Sequence, residues 1–209
     1  MDFKTKRAIS IAEIKRPTGV LQNPNFQRWF GNSKVVDEHG KPLVVYHGTI
    51  VRPDSARAKN MGDVSSFDRK FTTRFRIPSI DTVGTWFSSN PGEGGAQMYS
   101  GVSDGSAIYP VYLSIQNPQI TTFHLMARRA RLLVNGTDDG RQIGEAEVNA
   151  YRAWLKDMGK DGVKIEASGT EGSTEFDNQV AWIALEPEQI KSATANDGSF
   201  NPDNPNITK

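Results

Sequence analysis

The sequence predicts a single α+β domain in which helices and strands follow one another without regular alternation. Apolar residues recur at helical spacing in only a few blocks, of which residues 145–158 are the clearest. Short runs rich in β-branched and aromatic residues, such as 108–118, are typical of strands. Because the order of these segments shows no βα repeat, the pattern favours an α+β domain over a doubly wound sheet.

The domain is predicted to begin after a basic N-terminal arm, residues 1–24. Apolar side chains recur at helical spacing in residues 26–30, and Gly31 follows as a helix stop. The compact apolar run PLVVYHGT, residues 42–49, then predicts a strand. This strand ends with three residues whose side chains and backbone can face a cleft: His47, Gly48 and Thr49.

The following stretch, residues 50–83, shows little periodicity and predicts a long connection. Between Arg52 and Arg76, seven basic residues face three acidic ones. A connection longer than about 12 to 15 residues without structure of its own is usually functional or disordered. We therefore interpret this basic segment as a candidate lid or target-contact segment, with a solvated insertion as the plainer alternative.

Seven more elements are predicted in the remainder of the chain. Strands are expected at 85–89, 108–118, 161–167 and 180–187, and helices at 91–99, 125–134 and 145–158. The last two strands flank a polar hairpin, residues 168–179. The Asn/Pro/Gly-rich tail, residues 196–209, is expected to wrap the surface or to be loose. Residues 25–209 are therefore predicted to form one domain with a loose C-terminal tail.

The composition excludes several kinds of chemistry. The 209 residues include no cysteine, which rules out disulfides, thiolate metal sites and a cysteine nucleophile. Three histidines argue against a histidine-built zinc site, so we expect no metal. The net charge of +1 gives no whole-protein argument for nucleic acid or membrane binding. No apolar run approaches the roughly 18 residues of a spanning helix, and no signal-peptide core is present, so a cytoplasmic protein, or one delivered into a host cytoplasm, is expected.

Polar and aromatic residues at strand ends remain as candidates for function. The sequence contains no phosphate-binding loop, dinucleotide fingerprint or nucleophile elbow. The candidates are His47, Gly48, Thr49, Trp86, Phe87, Ser88, Ser89 and Tyr99. Taken singly, each is more often structural, because lone histidines and aromatic residues usually belong to the core. Their order along the chain is more informative.

In order and spacing these motifs resemble the ADP-ribosyltransferase superfamily. The resemblance is to the His-Tyr-Glu branch of diphtheria toxin and the poly-ADP-ribose polymerases, and most closely to the transferase domains of phage and mobile-element polyvalent proteins. It covers residues 26–207 and includes FGNSKVVDEHGKPLVVYHGT, GTWFSSNPGEGGAQMYS, VYLSIQNP and ALEPEQIKSATANDGSFNPDNP. The resemblance implies two small packed β-sheets that form an NAD cleft, with flanking helices.

The resemblance also implies NAD as substrate and assigns roles to residues. His47 matches the histidine that binds a ribose hydroxyl, and Gly48 matches the glycine whose backbone pairs with the nicotinamide carboxamide. Trp86 and Tyr99 match the aromatic residues that stack on the cationic nicotinamide ring, where a cation–π interaction contributes about 0.5 to 2 kcal/mol. The implied NAD contacts are His47, Gly48, Thr49, Trp86, Phe87, Ser88 and Tyr99.

The implied catalytic residues are His47, Trp86 and the residue at position 181. The family places a glutamate at the start of the last strand, where it holds the ribose 2'-hydroxyl as the glycosidic bond breaks. In this sequence the matching residue is Ala181, which has no carboxylate. Three explanations stay open. The glutamate was replaced deliberately to silence a toxic enzyme, the chain is a natural pseudoenzyme, or a bulge lets Gln179 or Glu175 take the position.

The acceptor of the ADP-ribose group is less defined. Arginine-modifying relatives carry a Glu-x-Glu pair where this chain reads Gln179-Val180-Ala181, so an arginine acceptor is not supported. A protein acceptor, an RNA or single-stranded DNA acceptor, and NAD hydrolysis without an acceptor all stay open. The candidate acceptor contacts are Arg69, Lys70, Arg74, Arg76 and Gln179, with Arg128, Arg129 and Arg131 for phosphates and Phe67, Phe71 and Phe75 for base stacking.

The alternative for this surface is that the phenylalanines pack the segment down while the arginines stay solvated. The resemblance implies a toxin, toxin–antitoxin or phage-conflict role, with an antitoxin or inhibitor protein as a further partner and no membrane. A module that binds NAD, nucleotide or a partner protein without catalysis is the alternative function.

Overall fold

The computed structural model describes residues 19–50, 66–67, 79–100, 106–166 and 180–209. The strands are β1 (Val45–Ile50), β2 (Thr85–Ser88), β3 (Ser106–Leu113), β4 (Pro118–Thr121), β5 (Gly162–Ile165), β6 (Ala181–Ala184) and β7 (Ile190–Ser192). The helices are α1 (Pro24–Phe30), α2 (Ala96–Ser100), α3 (Phe123–Asn135) and α4 (Glu145–Asp157). Each predicted strand and helix has a counterpart in these elements, so the α+β prediction is confirmed.

Two strands, β4 and β7, are missing from the sequence prediction. β4 opens with Pro118, which lacks an N–H and therefore reads as a strand end. It lies at one edge of the sheet, where a proline at the first position is tolerated, and pairs in parallel with β5. β7 is three residues long and lies at the opposite edge. Neither segment is long enough to show the alternation of apolar and polar residues that predicts a strand.

The seven strands form one sheet in the order β4-β5-β6-β2-β1-β3-β7. The ladder between β1 and β2 is limited to the pair Tyr46–Ser88, whereas every other neighbouring pair of strands shares three or more residue pairs. The sheet therefore consists of two halves joined at a single pair. One half is β1, β3 and β7, and the other is β2, β6, β5 and β4.

The two halves meet through a shared hydrophobic core. Inward-facing side chains of the first half contact those of the second in one buried cluster, which includes Val45, Val111, Leu113, Phe87, Trp182 and Ala184. Strand alternation explains the choice of residues, because the residues between them face the opposite side. The resemblance implies two packed sheets, whereas the structure has one seven-stranded sheet whose two halves share a core and are joined at the single pair Tyr46–Ser88.

Helices cover the outer faces of both halves. The aromatic side chains of α1 pack with Tyr112 of β3 on the first half. Asn23 caps this helix by accepting a hydrogen bond from the Asn25 N–H, and Pro24 at its first position needs no donor partner. On the second half, α3 and α4 bury Met126, Tyr151 and other apolar residues against β5 and β6.

The C-terminal segment is packed, so the prediction of a loose tail is wrong. Phe200 and Ile207 are 1% and 4% exposed and belong to the two cores around the first half of the sheet. The Lys191 ammonium group, fully buried on β7, donates hydrogen bonds to the carbonyl oxygens of Asn204 and Asn206. Proline and asparagine content indicated irregular backbone correctly, but two apolar side chains and one buried lysine fix that backbone in place.

The N-terminal boundary of the folded unit lies before residue 25. Residues 20–22 form a 3-10 turn in which Val20 and Leu21 pack against the α1 cluster, and the Asn23 amide donates to the Gly198 carbonyl. The rest of the predicted arm, residues 1–18, lies outside the described residues. Within the described part of the chain, no helix is long and apolar enough to cross a membrane.

Candidate active site

The candidate site lies where the ladder between β1 and β2 ends. Beyond Tyr46, β1 continues to Ile50 and pairs with β3 on one side. On its other side, no strand among the described residues pairs with it. An unpaired strand edge offers backbone groups to a ligand. His47, Gly48 and Thr49 lie on this stretch.

Three of the candidate residues share one face of the sheet. Ser88 on β2 pairs directly with Ala181 on β6, and Trp86 lies two residues before Ser88, so these three side chains point the same way. The pair Tyr46–Ser88 extends the face to β1, where Gly48 has the orientation of Tyr46. The fold therefore places four candidate residues on one face: Gly48, Trp86, Ser88 and Ala181. The first and the last of them are 133 positions apart in the sequence.

Helix α2 packs directly on Gly48. A Cβ atom at this position would lie 1.7 Å from the carbonyl oxygen of Ala96 and 3.2 Å from the amide nitrogen of Ser100. The backbone of α2 therefore fills the space beside Gly48 that a side chain would need. The same helix carries Tyr99, whose side chain is 41% exposed.

The imidazole of His47 lies on the opposite face of β1 and is fixed by the backbone of β2. Its Nδ1 is 2.8 Å from the carbonyl oxygen of Trp86. Because a carbonyl oxygen only accepts hydrogen bonds, Nδ1 carries the hydrogen and donates it. In the neutral ring, Nε2 is then the acceptor nitrogen. The hydrogen bond therefore determines which tautomer of His47 the site presents.

Trp86 is held at both its backbone and its side chain. Its indole N–H donates to the carbonyl oxygen of Asp81 over 2.8 Å, and its ring centroid is 6.0 Å from that of Phe123 on α3. The side chain is half-buried, so part of the ring is accessible. An aromatic ring anchored in this way is suited to stack on a planar ligand.

The other predicted NAD contacts near β1 and β2 are more enclosed. Phe87 is 1% exposed and belongs to the core between the two halves, where its ring contacts His47. Its side chain therefore packs in the core, and the NAD contact that the resemblance implies for Phe87 stays a prediction. Ser88 and Thr49 are also buried, and the Ser88 hydroxyl accepts a hydrogen bond from the Asn90 N–H.

Position 181 is occupied by an alanine in a regular strand. β6 pairs without interruption from Ala181 to Ala184 with both β2 and β5, so no bulge lies within it. Glu175 and Gln179, the residues that a bulge was expected to bring into place, lie outside the described residues. Glu166, which follows β5, points its carboxylate to Lys164 at 3.0 Å. Among the described strand residues next to Ala181, none supplies the missing carboxylate.

The structure describes part of the predicted acceptor surface. Phe67 is 8% exposed and packs in the core, so its interpretation as a base-stacking residue is wrong and the packing alternative holds. Arg131 donates to Asp138 at 2.6 Å, and the Arg129 guanidinium lies 5.2 Å from the ring centroid of Trp154. Arg128 lies 3.6 Å from Asp138 and is 54% exposed. The remaining candidates lie outside the described residues: Arg69, Lys70, Phe71, Arg74, Phe75, Arg76 and Gln179.

Arg152 on α4 supports the site and has no signal in the sequence. Its guanidinium donates to the carbonyl oxygens of Val83 and Leu185 and to the carboxylate of Glu186. Val83 lies just before β2 and Leu185 just after β6. The arginine therefore clamps the far ends of the two strands that carry Trp86 and Ala181.

Comparison with protein families gives one match. Residues 37–200 match the family model described as ADP-ribosyltransferase in polyvalent proteins. Comparison with curated proteins and with solved structures gave no match. The family model spans most of the chain, from the turn before β1 to the segment after β7, and includes every site residue described above. The chain therefore belongs to the family of ADP-ribosyltransferases found in polyvalent proteins.

Proposed function

We propose that this chain binds NAD at the end of the β1–β2 ladder and belongs to an NAD-dependent mono-ADP-ribosyltransferase that modifies a macromolecule. One observation supports this most strongly. The His47 imidazole is fixed 2.8 Å from the Trp86 carbonyl oxygen at the point where β1 loses its strand partner. On the opposite face of the sheet lie Trp86, Ser88 and position 181, and the resemblance assigns Trp86 and position 181 to catalysis together with His47.

Each of these groups has a role that fits its chemistry. The Nε2 atom of neutral His47 accepts a hydrogen bond from a ribose hydroxyl. Trp86 and Tyr99 supply aromatic surface for the cationic nicotinamide ring. Beyond the pair Tyr46–Ser88, where no described strand continues beside β1, the backbone of Gly48 is placed to hydrogen-bond a planar carboxamide. All of these interactions bind and orient the substrate, and none of them needs residue 181.

Bond cleavage does need a group at position 181. As the bond between nicotinamide and ribose breaks, positive charge develops on the ribose, and a carboxylate stabilises it. Ala181 provides none. Loss of one such transition-state interaction typically lowers the rate by on the order of 10²- to 10³-fold, about 3 to 4 kcal/mol. The chain with Ala181 therefore retains binding and has little turnover, through deliberate inactivation or as a natural pseudoenzyme.

A binding module without catalysis is the second candidate function. The observation that favours it is Ala181 itself, set in an unbroken strand with no carboxylate on the neighbouring described strands. The two candidates differ in one respect. A disarmed enzyme regains activity when the carboxylate is supplied, and a binding module does not.

For the acceptor we propose a protein or a single-stranded nucleic acid, in the setting of a toxin or phage conflict with an antitoxin or inhibitor as partner. Family membership supports this setting. Phe67 is buried and therefore does not offer its ring to a base, and Arg131 is paired with Asp138. Both observations weaken the argument for a nucleic-acid acceptor. To identify the acceptor, labelled NAD is incubated with lysate and the Ala181→Glu variant, and the products are digested with nuclease or with protease. Loss of the label on nuclease treatment indicates a nucleic-acid acceptor, and loss on protease treatment indicates a protein.

NAD binding is tested by calorimetric titration and thermal shift, because a ligand that binds only the folded state raises the melting temperature. We expect His47→Ala to weaken NAD at least about tenfold, since it removes both the Nε2 acceptor and the contact with Trp86. His39→Ala is the matched control, because the His39 side chain is 72% exposed and lies in a turn before β1. Equal NAD affinity of the two variants would refute the proposed site.

A further inference from the structure

The imidazole of His47 is enclosed by two phenylalanine rings. The Phe67 ring meets it edge-on, with centroids 4.9 Å apart and planes at 69°. The Phe87 ring lies 5.6 Å away, tilted by 57°. The two phenylalanines also contact each other at 5.8 Å. His47 is therefore bounded by aromatic rings on the side that faces the core.

Phe87 belongs to β2, but Phe67 comes from the basic segment between β1 and β2. Its ring is 8% exposed and contacts Tyr109 of β3 as well as His47 and Phe87. Its carbonyl oxygen accepts a hydrogen bond of 3.4 Å from the Thr85 hydroxyl. Ser66 and Phe67 are the described residues of this segment, and Phe67 packs against the strands that carry the site.

The position of Phe67 has a consequence for the chemistry of His47. The hydrogen bond from Nδ1 to Trp86 requires one orientation of the imidazole, because a half-turn about the Cβ–Cγ bond would put Cδ2 in the place of Nδ1 and break the hydrogen bond. Packed aromatic neighbours oppose that rotation because protein interiors leave little free volume. The two rings and the carbonyl together keep Nε2 as the acceptor.

We propose that Phe67 is a positioning residue that fixes the orientation and tautomer of His47, and through it links the basic segment to NAD binding. This inference rests on the proposed function. It gives the segment a role in binding NAD, in addition to any contact with an acceptor.

The test uses Phe67→Leu in the full chain, with Phe30→Leu as the matched control. Phe30 is 6% exposed and lies in the cluster around α1, so its loss removes a buried ring at a distance from His47. Two properties are measured: NAD affinity, and the ¹⁵N chemical shifts of the imidazole nitrogens. Because the chain has three histidines, His39→Gln and His124→Gln suffice to assign the signals. If the leucine variant does not fold, Phe67→Met, which keeps apolar volume without a ring, replaces it.

We expect the wild type and Phe30→Leu to show a protonated Nδ1 and an unprotonated Nε2 at alkaline pH. Phe67→Leu should show averaged shifts for the two nitrogens and about three- to tenfold weaker NAD binding, the effect of losing one net hydrogen bond. If Phe67→Leu still showed a single Nδ1-protonated tautomer of His47, the inference would be overturned. It would also be overturned if Phe67→Leu lost that tautomer and yet bound NAD as tightly as the wild type. Failure of the wild type to bind NAD would refute the proposed function, and the nitrogen shifts would still decide the role of Phe67.

Discussion

Ala181 occupies the position that we propose for a catalytic carboxylate, and its methyl side chain supplies none. It pairs with Ser88, faces the same side as Trp86 and lies in a regular strand. A glutamate at this position would place its carboxylate over the face that holds the other candidates, because paired residues in an antiparallel ladder point to the same side. Replacing one alanine therefore distinguishes a silenced enzyme from a binding module.

Gly48 shows what a residue-scale pattern can and cannot predict. The resemblance implies that the backbone of Gly48 pairs with the nicotinamide carboxamide, and this role stays a prediction. The close packing of α2 against this glycine is seen only in the structure. His47 is similar, since a histidine after a strand indicates a site, whereas the carbonyl that sets its tautomer belongs to a residue 39 positions later.

Among the elements, the paired strands β2 and β6 carry Trp86 and Ala181. At the end of this pair remote from Ala181, Arg152 donates hydrogen bonds to the carbonyl oxygens of Val83 and Leu185. We expect Arg152→Lys to lower the free energy of unfolding by about 1 to 3 kcal/mol, because lysine cannot satisfy both the Val83 and Leu185 carbonyl groups. Chemical denaturation measures this. Arg128→Lys is the control, since the Arg128 side chain is 54% exposed and should change stability little. Equal stability of the two variants would exclude the clamp.

The elements with a clear period were predictable, and those without one were not. Helix α4 follows its sequence pattern almost to the residue, because its apolar residues recur at helical spacing and pack against β5 and β6. β4 and β7 are four and three residues long, and pairing with neighbours far away in the sequence defines them. Such pairing is a tertiary effect that local propensity does not contain.

For the molecule as a whole, Lys191 on β7 connects the C-terminal segment to the sheet through hydrogen bonds to the carbonyl oxygens of Asn204 and Asn206. Burial lowers the pKa of Lys191 to about 8, while the nearby carboxylates of Glu188 and Asp197 act in the opposite direction. The unfolded chain keeps this lysine protonated up to its ordinary pKa of 10.5. Between these two values the unfolded state binds more protons than the folded state, so this group makes stability rise with pH.

We expect this contribution to raise the free energy of unfolding by about 1.5 kcal/mol between pH 8 and pH 9.5. Lys191→Met removes the titration and should show a flatter profile, although it is less stable overall because two carbonyl groups lose their donor. Denaturant unfolding at several pH values provides the comparison. The range stops below pH 10 because burial raises the pKa of Tyr151 to about 12, and above pH 10 that tyrosine makes stability fall. Parallel profiles for the wild type and the variant would contradict this account of Lys191.

The measurement that tests most directly whether the site lacks only a carboxylate at position 181 is nicotinamide release from NAD. It compares the wild type, Ala181→Glu and Val180→Glu. Val180 precedes Ala181 and its side chain is 39% exposed, so Val180→Glu adds the same charge next to the site without placing it at position 181. We predict release by Ala181→Glu at least about 100-fold faster than by the other two proteins. Release at the background rate without enzyme by all three proteins, with Ala181→Glu folded and binding NAD, would contradict the proposal and identify the chain as a binding module.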